Sequence, residues 1–460
     1  MNPHAQSRHS PTGGNSPAHA ARLLLDSFGA AVAAADPAII LPPHLPAPPR
    51  GRTLVVGGGK AAASMAAAVE AHWPADAPLS GLVVTRYRHG LPTRRIEVVE
   101  ASHPLPDGRG EEAALRMLEL AGQLGPDDLL LALISGGGSS LLAAPVEGVS
   151  LKELRQLTKA LLNAGATIHD INTVRKHLTR LSGGRLAQAA LSGMSGAQGL
   201  ALIISDVVGD DPTHIASGPC APDPTTCADA LERLQRFRIA LPTGVRHHLE
   251  ACAAEGPLGR SGAATDVPFT GAAGRQLDTP KPGDPCFARM ENRVIASARR
   301  SLQAAAAYFE HHGIPAVVLS DCVSGDAQAT AKQHAALARA VKSRPIALIS
   351  GGETTVTLRP QHGRGGRNAE FLLALALELA DTPAWAIACD TDGIDGSEDN
   401  AGALIGPGTL LRAHARGLDA ADFLAAHDSH GFFSALGDLV VSGPTRTNVN
   451  DYRALLVGLD

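Results

Sequence analysis

Apolar positions fall into two alternating patterns along this chain. The first is a short, unbroken apolar run that stops at glycines. Residues 129–142 read LLLALISGGGSSLL, residues 54–60 read LVVGGGK and residues 346–353 read IALISGGE. Continuous runs of this length, punctuated by glycine, fit strands buried on both faces, as in parallel sheets. The second pattern is Ala/Leu-rich with helical spacing, as in 18–35, 61–72, 111–124, 151–164, 296–312, 327–341 and 369–380. Strand-like runs at 52–56, 81–85, 96–101, 129–134, 199–205, 316–320, 346–350, 385–389 and 452–458 alternate with these helices. That alternation predicts α/β architecture throughout. Three buried strands that each end in a glycine loop predict a site at strand C-termini, where open α/β sheets bind ligands.

Two stretches break the rhythm. Residues 1–17 are polar and rich in Pro, Gly and Ser, which predicts a disordered tail. Residues 256–289 are rich in Gly, Pro, Ala and Thr without periodicity, which predicts a linker or long loop. The chain has 460 residues, too long for one ordinary domain. The expected domains are therefore 18–255, N-terminal and Rossmann-like, and 290–460, C-terminal and also α/β.

Composition narrows the function. Aromatic residues are only 3% and the net charge is −5 with no long basic run, which argues against nucleic acid and against an anionic membrane surface. No apolar run reaches the roughly 18–20 residues of a membrane span, and residues 1–17 lack the apolar stretch of a signal peptide. A cytoplasmic protein is expected. The six cysteines form no CxxC pair and read as buried small hydrophobes, not as a disulfide framework or zinc site.

The polar residues at the strand ends carry the chemistry. Gly57-Gly58-Gly59-Lys60 precedes a helix, so loop N–H groups and a lysine stand where anions bind. It is not a Walker A loop, since Leu54 and Ala61 stand where glycine and Ser/Thr belong. A permissive dinucleotide fingerprint, Gly57-x-Gly59-x-x-Ala62, does match, but the next strand ends at Arg86 instead of a ribose-binding acid. Ser135, Gly136, Gly137, Gly138, Ser139 and Ser140 can hold phosphate or carboxylate through N–H groups and hydroxyls, or simply turn the chain. Arg175-Lys176 reads as a solvated helix face or a ligand contact, and His103 as a turn residue or a substrate-orienting group. Asp206, Asp210 and Asp211 suit Mg²⁺ or serve as turn formers. Arg364 and Arg367, beside Asn368 in a glycine loop, offer forked donors. Asp390, Asp392 and Asp395 suit a magnesium–nucleotide, and Glu353 is either a site acid or a helix-starting one. Glycine loops, one lysine, arginines and several aspartates are the set that phosphoryl transfer requires.

Read together, VVGGGKA, SHPLPD, LISGGGSSLL, NTVRKHL, SGGRLA, SDVVGDDP, IASGP, LISGGETTV, GRGGRNAE, DTDGIDG and GPTRTNVND resemble the glycerate 2-kinase family with a C-terminal MOFRL-type domain. Some of its members carry a hydroxypyruvate reductase name. The resemblance implies ATP- and Mg²⁺-dependent phosphorylation of D-glycerate at the 2-hydroxyl, giving 2-phospho-D-glycerate. It further implies two α/β domains with the active site in the cleft between them. Lys60 and Arg364 or Arg367 then fall at catalytic positions, with Asp206 beside them. Nucleotide and metal contacts fall on Gly58, Gly59, the 135–140 loop, Asp210, Glu353, Asn368, Asp390 and Asp392, with Asp206, Asp210 and Asp392 as metal ligands. A monomer or homodimer is expected. Three positions depart from the family pattern, Val208, Ala369 and Arg446, the last where glycine is usual. The alternative is an NAD(P)H-dependent hydroxypyruvate reductase, which the permissive fingerprint and Arg86 favour.

Overall fold

The computed structural model describes residues 17–192, 196–255, 277–342, 345–357 and 363–459. The chain divides into two compact units. One comprises Ala34–Ser297 and Arg446–Val449; the other takes the chain up to Ala33, Ala298–Thr445, and the chain from Asn450 on.

The first unit is built on a six-stranded sheet: β1 (Thr53–Gly58), β2 (Leu79–Arg86), β3 (Ile96–Ala101), β4 (Leu129–Ser135), β5 (Gln198–Ile204) and β6 (Met290–Ala296). The order is β3-β2-β1-β4-β5-β6 and every pairing is parallel. The strand order therefore reverses between β1 and β4, and both of these end at glycine loops. β4 is buried along its whole length, as its continuous apolar run requires. Leu54, Val56, Leu82 and Leu130 pack against helices Gly108–Ala121 and Arg185–Leu191. Val55, Val83 and Leu131 pack on the opposite face against helix Ala62–His72. Each such side chain taken fully out of water contributes about 1.5–3 kcal/mol. Helices Leu151–Asn163, Ile168–Leu178, Cys227–Arg236 and Thr243–Glu255 share a further core of Leu154, Leu157, Val174, Leu234 and Leu249.

The second unit has its own sheet of β7 (Ala316–Asp326), β8 (Ile346–Thr355), β9 (Ala384–Asp390), β10 (Gly402–Ile405), β11 (Leu439–Val440) and β12 (Asp451–Val457). The order is β11-β10-β9-β12-β8-β7, with only β7 and β8 parallel. Helices Pro17–Ala33 and Ala298–His311 cover one face through Leu24, Phe28, Leu302 and Phe309. Helices Ala327–Ala340 and Arg367–Glu378 cover the other through Ala331, Phe371, Leu372 and Leu375. No described helix is long and apolar enough to cross a membrane.

Several expectations need correction. Helix Pro17–Ala33 lies in the second unit, where the Ser27 hydroxyl bonds to the Tyr452 hydroxyl at 2.8 Å and Phe28 meets the Tyr452 ring. Sequence adjacency had placed it with 34–255. β6 lies in the first unit's sheet, because Met290–Ala296 pairs with β5, so that unit runs to Ser297 and not to 255. Of the expected 256–289 linker, residues 256–276 lie outside the described residues, as do 1–16 of the expected tail. Residues 277–289 are built structure, with Thr279 buried and a 3₁₀ turn at Pro285–Arg289. β8 does not stop at its glycines: Gly351 and Gly352 stay in the strand opposite Tyr452 and Asp451. Cys227 and Cys252 form a disulfide between adjacent helices, against the expectation of unpaired cysteines.

Candidate functional site

In the first unit the glycine loops after β1 and β4 are locked to each other. The Lys60 N–H donates to the Gly136 carbonyl at 2.8 Å, and the Ala61 N–H donates to the Ser135 hydroxyl at 3.0 Å. Gly137 has φ of 80°, a backbone that side chains disfavour, and opens a short turn, Gly138–Leu141. A Cβ on Gly137 would lie 2.9 Å from His103 Nε2 and 3.4 Å from Lys60 Cγ, so both side chains stand directly beside this loop. A Cβ on Gly136 would run into the Asp206 carboxylate and lie 2.5 Å from Asn448 Nδ2. Asn448 itself donates to Asp206 Oδ2 at 3.2 Å. Lys60, His103, Gly136, Asp206 and Asn448 are thus one cluster at the point where the strand order reverses.

A polar chain runs from this loop to helix Ile168–Leu178. Ser139 Oγ bonds to Ser217 Oγ at 2.8 Å, Ser217 reaches Asn172 Oδ1 at 3.3 Å, and Arg175 donates to the same oxygen at 3.4 Å. Loss of solvation pulls the Arg175 guanidinium down to about 10. The next residue, Lys176, is buried against Asp223 at 3.3 Å. The reading of Arg175-Lys176 as a solvated face does not hold, because this face of the helix is covered. Ser140 donates to the Gly137 carbonyl at 3.1 Å and so stabilises the turn itself. Asp210 sits in the following loop with φ of 54°, and its N–H closes a turn on the Val207 carbonyl.

In the second unit an acidic cluster surrounds one guanidinium. Arg367 is the first residue of its helix, and its Nε donates to Asp451 at 2.9 Å. Its two terminal nitrogens reach Asp390 at 2.7 Å and Glu353 at 3.2 Å. Asp451 also takes Asn368 Nδ2 at 2.8 Å and the buried Arg453 at 2.5 Å. Asp390 accepts the Asp392 N–H at 2.9 Å, and Asp392 accepts the Ile394 N–H at 2.9 Å. Asp395 caps the helix by accepting the Asn368 and Ala369 N–H groups at 3.0 and 2.8 Å. Burial pushes its carboxyl up to about 6, with the Asp451 charge adding to the effect and the two N–H bonds opposing it.

Arg364 is not part of this cluster. Its side chain is 66% exposed and pairs with Glu398 instead. The sequence left Arg364 and Arg367 as alternatives; only Arg367 meets the aspartates.

These clusters belong to a chain whose relatives are known. Residues 23–250 match the model of a domain of unknown function (DUF4147), and residues 346–451 match that of the MOFRL family. The chain is 36% identical over 418 residues to the D-glycerate 2-kinase of Thermotoga maritima, covering 89% of this chain and 90% of that one. The chain belongs to the glycerate kinase family. The crystal structure of the Thermotoga maritima glycerate kinase matches with a TM-score of 0.81 at 33% identity, covering 96% of this chain and all of that one. A protein of Agrobacterium vitis that carries a hydroxypyruvate reductase name is 47% identical over 447 residues, covering 95% of each chain.

Within this glycerate kinase fold, the sequence singled out Lys60, Asp206, Glu353, Arg367, Asn368, Asp390 and Asp392. It named neither Asp451 nor Asn448 as a site residue, although both stand in GPTRTNVND. Their signal was an Asn/Asp-rich run entering a strand. Arg446 in the same run adopts φ of 62°, the conformation that glycine holds without strain.

Proposed function

We propose that the protein is a kinase that transfers a phosphoryl group from ATP to the 2-hydroxyl of D-glycerate, giving 2-phospho-D-glycerate. Membership of the glycerate kinase family supports the reaction class. The observation that carries the reading is the cluster at the strand reversal. A lysine, backbone donors and a carboxylate held by an amide converge there on two interlocked glycine loops.

The residues present fit Mg²⁺. Around Arg367 stand Glu353, Asp390, Asp392, Asp395 and Asp451, and Arg367 and Arg453 pair with members of this set. Burial raises the Asp395 carboxyl and the Asp451 charge adds to it, and the hard oxygen donors gathered here suit Mg²⁺. Asp390 and Asp392 would hold the ion in this unit, and Asp206 or Asp210 in the other. MgATP, when bound, supplies the phosphoryl group with part of its charge neutralised.

The chain's own residues do the rest. Lys60 and the 135–140 loop bind anionic oxygens, the lysine by charge and the loop by N–H groups and hydroxyls. Asp206, fixed by Asn448, orients the substrate hydroxyl and accepts its hydrogen bond. Arg367 cannot rotate away, since three carboxylates hold it, and it offers fixed positive charge to equatorial phosphoryl oxygens.

The test is release of ADP from MgATP with D-glycerate, with the product identified by phosphorus NMR, for wild type and Lys60→Ala. Formation of 2-phosphoglycerate that the variant loses supports the proposal. Oxidation of NAD(P)H on hydroxypyruvate without ADP release refutes it and leaves the reductase reading.

A further inference from the structure

Away from both clusters, the first unit buries a group of residues that phosphoryl transfer does not use. His177 lies in the last turn of helix Ile168–Leu178, Cys227 begins helix Cys227–Arg236, Cys252 lies on Thr243–Glu255, and Asp278 follows on the chain beyond. His177, Cys227 and Cys252 are buried, and the Asp278 side chain is only 13% exposed. The possible ligand atoms of His177, Cys227 and Asp278 all lie within 4.8 Å of one another.

These atoms are close enough to share one ion. His177 Nδ1 lies 2.7 Å from the Thr173 carbonyl, which takes its proton and turns Nε2 inward. A backbone carbonyl on the far nitrogen is the usual arrangement behind a metal-bound imidazole. Nε2 then faces Asp278 Oδ1 at 3.1 Å and the Thr225 carbonyl at 3.3 Å, with Asp223 Oδ2 at 3.7 Å. Oxygens converge on this nitrogen, and either a proton or a metal ion between it and them satisfies the contact. Cys227 Sγ stands 3.8 Å from the same Asp278 oxygen. Tetrahedral zinc, with bonds of about 2.0–2.3 Å, sets its ligand atoms about 3.3–3.8 Å apart. The Cys227 Sγ–Asp278 Oδ1 separation of 3.8 Å lies at the upper edge of that range, and the His177 Nε2–Asp278 Oδ1 separation of 3.1 Å falls just below it. Charge also balances. Lys176 and Lys281 already match Asp223 and Asp278, so two thiolates and one divalent cation add nothing net.

We propose that, in the dithiol form, this chain binds one zinc-class divalent cation through His177 Nε2, Cys227 Sγ, Cys252 Sγ and Asp278 Oδ1. The disulfide and the metal are then alternative closures of one site. A dithiol reductant supplies two electrons and two protons, the Cys227–Cys252 bond breaks, and the reductant leaves as its cyclic disulfide. The two thiols release their protons to solvent as the cation binds. Lys281, which now bonds Asp278 at 3.0 Å, shifts to the Thr225 carbonyl and the Thr279 hydroxyl that it already touches. With all four ligands from protein and little solvent access, the site is structural.

Co²⁺ titration of the full chain, without nucleotide, reads this directly. The reduced protein should take up one cobalt per chain, with a thiolate-to-cobalt charge-transfer band and tetrahedral ligand-field absorption. The oxidised protein should show neither. Cys227→Ser should abolish the band and Asp278→Asn should weaken binding by about tenfold or more, while Cys220→Ser, which removes a free thiol outside the proposed ligand set, leaves both unchanged. Circular dichroism confirms that each variant is folded. A reduced, folded wild type that binds no cobalt, or a band that survives in folded Cys227→Ser, overturns the proposal. Neither result bears on the kinase reaction, which is assayed separately.

Discussion

Gly136→Ala tests the cluster at the strand reversal most directly. An added Cβ would lie 2.5 Å from Asn448 Nδ2 and nearer still to the Asp206 carboxylate. Ordinary contact is about 3.5 Å, so one or both side chains must retreat by about 1 Å. Gly136 cannot yield easily, because its carbonyl holds the Lys60 N–H and the strand before it is buried on both faces. Overpacking of this kind costs about 1–3 kcal/mol. If Asp206 rotates out, its hydrogen bond from Asn448 is lost as well, worth about 1 kcal/mol at a half-buried carboxylate. The expected loss of stability is about 2–4 kcal/mol by urea unfolding. Displacing an orienting group by about 1 Å should lower kcat/KM with MgATP and D-glycerate by about 100-fold. Gly108→Ala is the control, because a Cβ there meets nothing within 4 Å, and it should leave both quantities unchanged. A Gly136→Ala enzyme within twofold of wild type would show that the Asp206–Asn448 geometry does not matter to the reaction.

Further expectations concern the second unit and the crossing segment. Arg367→Ala strips Asp390 and Asp451 of a buried partner and should destabilise the protein by about 3–5 kcal/mol, whereas Arg364→Ala removes an exposed pair worth about 0–1 kcal/mol; comparable losses in both would contradict the assignment. Asp395 binds its proton more tightly folded, at about 6, than unfolded, at about 3.9, so its contribution is fully present below pH about 4 and is lost as pH rises through about 6. The amplitude is about 3 kcal/mol, and Asp395→Asn should flatten that part of the difference in unfolding free energy across this window; a variant with the same pH profile as wild type would count against it. Arg446→Gly should keep the 2.6 Å bond from Ser64 Oγ to its carbonyl and relieve the positive φ, for a gain of up to about 1 kcal/mol in thermal or urea unfolding; a loss of that size would mean that the side chain stabilises the turn.

The strands, glycine loops and most helices were readable from the sequence because each is a local pattern. Pairing partners were not. The letters ALISGG occur in both β4 and β8, yet β4 ends at Ser135 while β8 runs on through Gly351 and Gly352. The difference is made by β12, about a hundred residues further along, which hydrogen-bonds alongside those glycines. Arg364 and Arg367 are equivalent in a string of letters, but only Arg367 occupies the first turn of a helix that aims it at β9 and β12. Helix Pro17–Ala33 was misplaced for the same reason: its apolar stripe announced a helix but not which sheet would cover it. Asp395 was read with its neighbours as a possible ion ligand, and the structure uses both of its oxygens to cap a helix.

The crossing segment sets an order of events. The chain passes between the two units at 33–34, 297–298, 445–446 and 449–450. Asp206 therefore waits 242 positions for Asn448, the amide that fixes it. A chain growing from its N-terminus can assemble β1–β6 and both glycine loops long before that amide exists. During this interval Lys60 and its loop are present but the Asp206 carboxylate is not yet held by Asn448. Cutting the protein between Ser297 and Ala298 does not release two working halves. It yields a first unit without Arg446–Val449 and a second unit that has lost the helix packed beneath Tyr452. If the proposed site is correct, activity is an end-point check on synthesis, since only a chain translated through Asn448 carries the complete glycine-loop cluster.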